Sequence, residues 1–188
     1  MKKVFLVVPS IKDLKYRQMW MKDPKSMSYN AGFDLSLKGY DKETGTITKT
    51  EEEMLAWFNN WINKEPDRYY AYIYSVDEDE PIGEVYYYLD GDTYSMGIVI
   101  HNKYRGKGYS YYALLELEKV AFEQNNIKEL SDMVPVDRSG AIKALKKAGF
   151  INTDKEKTEK VFGTDTIIKE LLITKEMYFN NKGSDLHE

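Results

Sequence analysis

Apolar and polar positions alternate along the chain in a way that divides it into strand-like and helix-like stretches. Val4 to Val8 is a short β-branched run ended by Pro9 and predicts a first strand. Ser10 follows as a helix cap with Asp13 facing the free backbone donors, so a helix is predicted from Ile11 to about Lys22, before Pro24. Residues 26–49 hold Ser, Gly, Thr, Tyr and charge without a stable period. They predict a long loop with at most one short element, a kind of segment that often carries binding work. Thr50-Glu51-Glu52-Glu53 is a capping box, after which Met54, Trp57, Phe58, Trp61 and Ile62 recur at helical spacing until Pro66.

Three strand-like stretches come next, Tyr69 to Val76, Ile82 to Leu89 and Thr93 to His101, with a hairpin signal at Asp90-Gly91-Asp92. A helix is predicted from Gly108 to Gln124, a strand from Glu129 to Val136, and a helix from Ser139 to Ala148 ended by Gly149. Further strands are expected near Phe150 to Thr153 and between Thr166 and Phe179. No repeat or low-complexity linker divides this order. It predicts one α/β domain with a mixed sheet over residues 1–179, followed by a polar, frayed tail at 180–188.

Composition narrows the chemistry. The 188 residues are 42% hydrophobic and 31% charged, enough apolar material for a full core and too much for a disordered chain. Lys plus Arg total 27 against 31 Asp plus Glu, a net charge of -4 that argues against nonspecific binding of nucleic acid or anionic membrane. The absence of cysteine excludes disulfides, thiolate catalysis and Cys-ligated metals, and His101 and His187 alone do not make a histidine-rich metal centre. No metal is expected. No apolar run is long enough for a transmembrane helix, and the stretch after Lys2-Lys3 lacks a signal-peptide cleavage pattern, so a cytoplasmic protein is expected.

The informative stretch runs from Met96 to Ser110, where a strand leads through a glycine-containing turn into a helix. Gly106 and Gly108 permit unusual torsions, so that consecutive amides can point into one concavity. The helix that follows adds free N–H groups and the positive end of its dipole. With Arg105 and Lys107 nearby, the arrangement suits a diphosphate; a structural turn with a solvated charge pair is the alternative. The spacing is that of neither a dinucleotide fingerprint nor a Walker loop.

Arg105-Gly106-Lys107-Gly108-Tyr109-Ser110 resembles the Arg/Gln-x-x-Gly-x-Gly/Ala signature of the GNAT N-acetyltransferase superfamily, with Ser110 at the last position. Residues 141–150, a short helix ending in Gly149-Phe150, resemble the second signature of that superfamily. The stretch from Tyr109 and the run Val120 to Glu123 look most like its ribosomal-protein N-terminal acetyltransferase branch and the small-molecule relatives of that branch. The resemblance implies a GNAT-like fold, a central twisted mixed sheet of six or seven strands flanked by four main helices. It implies acetyl-CoA as co-substrate, with its pyrophosphate on the amides of Gly106 to Ser110 and with Arg105 or Lys107 assisting. It further implies pantetheine along Ile98, Val99 and Ile100, where the cofactor strand splays from Glu129 to Val136, and an oxyanion donor at the amide of Ile98 or Val99.

The reaction so implied is direct attack of a primary amine, of a small molecule or a protein N-terminus, on the thioester. A non-catalytic acetyl-CoA sensor is the competing class, and a homodimer remains open. The tyrosine that often protonates the thiolate in this superfamily falls at Leu145, and its frequent asparagine at Arg138 or Asp137. For the base, Glu84 is the first candidate, Asp132 the second and Asp137, equally readable as a helix cap, the third. Tyr86, Tyr88 and Tyr94 read mainly as cross-strand packing, with a proton-donor role as the minor alternative. His101 reads as a hydrogen-bonding spacer, and Lys143 or Lys146 as neighbours of the adenosine phosphate or a solvated face. Asp34, Asp41, Glu43 and the run Asp77 to Glu80 offer negative charge for a cationic acceptor, or ordinary surface charge.

Overall fold

A computed structural model describes residues 4–184. Seven strands form one sheet in the order β1 (Val4–Val7), β2 (Arg68–Ser75), β3 (Glu80–Asp90), β4 (Thr93–Ile100), β5 (Glu129–Pro135), β7 (Thr164–Thr174), β6 (Ile151–Val161). Every neighbouring pair is antiparallel except β4 and β5, which run parallel and are paired only at Ser95 and Ser131. Beyond that point the two strands diverge, the splay that the superfamily resemblance implies.

The alternation of side chains explains the dense run Tyr69-Tyr70-Ala71-Tyr72-Ile73 on β2. Tyr69, Ala71 and Ile73 join a core with Val85, Tyr87 and Ile100, against Ala113, Leu114, Leu117 and Ala121 of the helical stretch that follows β4. Tyr70 and Tyr72 point to the other face and pack with Trp20 and Ile62. A strand buried on both faces has no polar alternation, so it reads as an unbroken aromatic run.

The helices are α1 (Leu14–Lys22), α2 (Pro24–Met27), α3 (Glu51–Trp61), α4 (Tyr109–Lys119), α5 (Ser139–Lys147) and α6 (Lys175–Ser184). The capping box at Thr50 and Glu53 is present, with Glu53 N–H donating to the Thr50 hydroxyl at 3.2 Å. Among the described residues the four expected helices are present as α1, α3, α4 and α5, joined by the short α2 and by α6, and several boundaries differ. Residues 11–13 form a single 3-10 turn, and Ser10 donates its backbone N–H and hydroxyl to the Asp13 carboxylate at 2.9 and 2.7 Å. The expected helix to Gln124 changes at Val120 into a π-helical turn, closed by Asn125 N–H to the Val120 carbonyl at 2.9 Å. β6 extends to Val161 rather than stopping at Thr153, because its edge position accepts the alternating charges of residues 154–160. The strand expected to reach Phe179 ends at Thr174, and 175–184 are helical, where Tyr178 packs on Phe122 at 5.2 Å between ring centres. The tail expected to fray from Asn180 is therefore ordered to Ser184, and residues 185–188 lie outside those described. No helix among the described residues is long and apolar enough to cross a membrane.

Candidate active site

The β3–β4 register determines which main-chain groups face the splay. Gly83 lies opposite Ile100, and His101 N–H donates to the Ile82 carbonyl at 2.9 Å. Antiparallel alternation then turns the amides of Val99 and Gly97 toward β3 and those of Ile98 and Ile100 toward β5. The Ile100 carbonyl accepts from Arg105 Nε at 3.0 Å, which leaves Ile98 and the Ile100 N–H to line the opening. Of the two expected oxyanion donors, Ile98 has its amide in the splay and Val99 has its amide in the β3 ladder.

Past Ile100 the chain makes a 3-10 turn at Asn102–Tyr104 and enters the glycine loop. Gly106 and Gly108 sit at φ of +75° and +84°, in the left-handed region that L side chains avoid. A Cβ built on either meets nothing within 4 Å, so both glycines border open space. Gly108 caps α4, whose first amides, from Tyr109 and Ser110, complete the concavity.

The two loop cations are engaged. Arg105 donates Nη1 to the Lys25 carbonyl at 2.9 Å and Nη2 to the Ser26 carbonyl, so its guanidinium ties α2 to the end of β4. That side chain is held by three main-chain carbonyls. Lys107 pairs with Glu78 at 2.9 Å and Tyr109 donates to the same carboxylate at 3.0 Å, which places Lys107 at the loop's rim. Ser26, fully buried, accepts from the Asn102 N–H at 2.9 Å. His101 Nε2 stands 3.6 Å from the Asp23 carboxylate.

Glu84, the first sequence candidate for a base, is not a free carboxylate. It is 7% exposed, both its oxygens accept from Arg17 Nη1 at 2.6 Å, and Tyr70 donates to one of them at 2.5 Å. Arg17 itself lies 4.1 Å above the Trp57 ring and 5.1 Å from the Tyr70 ring centre. Burial opposes its charge, yet the adjacent Glu84 carboxylate keeps the guanidinium pKa above its ordinary value. The Tyr70 hydroxyl is raised well above the usual phenol by burial and by Glu84.

Asp132 is the first residue of β5 past the pairing at Ser131. Burial pushes its carboxyl up to about 6, against the lowering effect of the Met133 amide and of Arg138. Arg138 in turn donates to the Tyr29 carbonyl and lies near the Tyr29 and Phe33 rings, so it joins the start of α5 to the 28–33 loop. Tyr29 is pushed up to about 12 by burial and by Glu84. The charges of Glu84 and Arg17 reach both the Tyr29 and the Tyr86 hydroxyls, and that of Asp132 reaches Tyr86.

The remaining candidates fall outside this chamber or serve the frame. Asp137 does not cap α5, whose cap is Arg138. Leu145 is 1% exposed in the main core. Lys143 and Lys146 are exposed on α5. Asp34 pairs with Lys42, Asp41 accepts from the Thr44 N–H at 2.9 Å, and Glu80 accepts from Lys103 at 3.2 Å, so much of the acidic surface is internally used. Arg17, Tyr29 and Tyr70 were not singled out by the sequence, which carries no local pattern for a pair 67 residues apart.

Among the described residues no group of three or more His, Asp or Glu side chains is placed to hold a metal ion. No curated protein sequence matches the chain. The fold is similar to that of the spermidine N-acetyltransferase of Vibrio cholerae in complex with CoA and spermine, at 16% identity and TM-score 0.75, over 94% of this chain and 98% of that one. A chimera of that enzyme matches at 17% identity and TM-score 0.72, over 94% and 98% of the two chains. A GNAT-family acetyltransferase of Bacillus anthracis matches at 16% and 0.69, over 94% and 99%. At such identities these matches speak for the fold alone. Residues 3–151 match the model of the acetyltransferase (GNAT) domain, and the chain, with its splayed parallel pair leading into a glycine loop and helix, belongs to that family.

Proposed function

We propose that the protein transfers the acetyl group of acetyl-CoA to a primary amine of a small polyamine. The observation that carries this reading is the continuous main-chain edge from Ile98 through Ile100 into the loop Gly106 to Ser110. Two open glycine positions, main-chain amides at the positive end of a helix and an unpaired strand edge fit a pyrophosphate followed by an extended, amide-containing arm. The bound co-substrate supplies an activated thioester. The chain's residues orient it, with the Ile98 N–H toward the carbonyl oxygen as the donor for developing negative charge.

On the acceptor side we assign the base to Asp132 rather than Glu84. Both Glu84 oxygens are held by Arg17 and Tyr70, and using Glu84 as a proton acceptor means disrupting a buried ion pair. Asp132 stands at the mouth of the splay with a carboxyl pKa of about 6, near enough to neutrality to accept a proton directly or through water. The polyamine class is taken from the similar Vibrio cholerae protein, a spermidine N-acetyltransferase in complex with CoA and spermine. The family match carries the GNAT superfamily and not its ribosomal-protein N-terminal acetyltransferase branch.

The buried Leu145 favours one second reading, a non-catalytic acetyl-CoA sensor. Thiol release from acetyl-CoA, measured with spermidine, an amino acid, a peptide N-terminus and an aminoglycoside, separates the two. The transferase reading expects release that depends on the polyamine, with the acetylated product identified by mass. Cofactor binding without release in the presence of any amine would establish the sensor instead.

A further inference from the structure

Tyr86 differs from the other half-buried tyrosines in where its hydroxyl rests. Its ring is held by Trp61 at 5.6 Å, Tyr70 at 6.4 Å and Tyr88 at 6.5 Å between centroids. Across the register it faces Gly97, and a Cβ built on Gly97 lies 2.5 Å from both Cζ and Oη. The hydroxyl is thus laid on the backbone of β4, in the space a side chain at residue 97 would take. That point lies between Ser95, where β4 leaves β5, and Ile98, whose N–H faces the gap.

Among the described residues no group is hydrogen-bonded to this hydroxyl, whereas Tyr70 and Tyr72 on the same face donate to Glu84 and to the Asp13 carbonyl. The position at which the superfamily carries its proton-donating tyrosine is Leu145, buried in the core and without a proton to give.

We propose that Tyr86 is the proton donor to the departing thiolate, acting from the acceptor face of β4. The proposal rests on the transferase reading above. In this step the amine nitrogen forms the C–N bond and the acetyl C–S bond breaks with its electron pair on sulfur. The Tyr86 Oη proton passes to that sulfur, and the proton shed by the nitrogen returns to the phenolate by way of Asp132 or water. Acetyl-CoA and amine become acetamide and CoA thiol, with no oxidant or reductant required.

Tyr86→Phe keeps the ring contacts and removes only the hydroxyl. It should lower kcat about ten- to a hundredfold while acceptor KM stays within about twofold. A readout independent of turnover is calorimetric binding of CoA and of desulfo-CoA, which lacks the sulfur. Wild type should prefer CoA by about three- to tenfold, and Tyr86→Phe should erase the preference. Gly97→Ala, whose methyl displaces the hydroxyl without removing it, should reproduce both losses. Retention of full kcat and of the CoA preference in folded Tyr86→Phe overturns the assignment. Loss of both in Tyr29→Phe but not in Tyr86→Phe overturns it in favour of the acceptor loop. Wild type that binds CoA and turns over no amine contradicts the transferase reading and takes this role with it, whereas an active wild type with an unaffected variant contradicts Tyr86 alone.

Discussion

Along the edge of β4 and the loop that follows, the groups facing the proposed co-substrate are main-chain amides, set by strand register and by two glycine torsions. On the acceptor face the polar groups are side chains drawn from five elements: Arg17 from α1, Tyr70 from β2, Glu84 and Tyr86 from β3, Asp132 from β5, Tyr29 from the 3-10 turn Ser28–Asn30. The first kind of site survives many substitutions, because any non-proline residue carries an N–H. The second depends on each partner being present, because removal of one leaves another buried without compensation. Binding of the co-substrate is therefore the robust half of this protein, and acceptor chemistry the fragile half.

The largest test of that contrast is Arg17→Met. It leaves the Glu84 carboxylate buried without its cation, and should cost about 3–5 kcal/mol of stability in urea unfolding. In the protein that remains folded, CoA affinity should stay within about twofold of wild type. A parallel collapse of CoA affinity would break the separation of the two halves.

Asp132→Asn should lower kcat/KM about a hundredfold near neutral pH and remove an acid limb centred near 6 in the wild-type profile. Its effect on stability has the opposite sign. A carboxyl whose folded pKa is raised binds its proton more tightly in the native state, so wild-type stability falls as pH rises from about 4 to about 6. Above that window the ionised, poorly solvated Asp132 costs on the order of 3 kcal/mol, and the neutral amide should recover about half of it. Chemical unfolding of both proteins at pH near 4 and near 8 checks the sign. Equal stability differences at the two pH values would contradict it.

Gly108→Val comes next. The φ of +84° strains a β-branched residue, and its side chain enters the open space beside the loop. Acetyl-CoA affinity should fall at least about tenfold, some 1.4 kcal/mol, by calorimetric titration. Wild-type affinity in a folded variant would move the phosphate site elsewhere. The smallest effect is expected for Lys107→Met, because its ammonium is shared with Glu78 at the rim. CoA binding should weaken about twofold and lose part of its salt dependence, as seen by titration at two ionic strengths.

The unequal legibility of the sequence follows the same division. Strand order and the glycine loop could be read from residues 69–110 because local torsion, two-residue periodicity and turn chemistry act over short separations. The free edge of Ile98 and Ile100 needed the register, which places Val99's amide in the β3 ladder. Glu84 read as a base because it is an acidic side chain among apolar residues on the strand beside the cofactor strand, and only the fold brings Arg17 against it. Arg105 read as a phosphate ligand because it is a cation beside the glycine turn, and only the fold brings three carbonyls against it. Residues 154–160 gave no strand signal because an edge strand exposed on both faces carries charge at nearly every position.

The central claim, that a main-chain edge and glycine loop hold the co-substrate, is tested most directly by amide resonances of isotope-labelled protein titrated with CoA. The largest shifts should fall on Ile98, Ile100 and Gly106 to Ser110, with Val99 and the Arg17–Glu84 neighbourhood moving less. Saturable binding whose largest shifts lie elsewhere, with Gly106 to Ser110 unmoved, would contradict it.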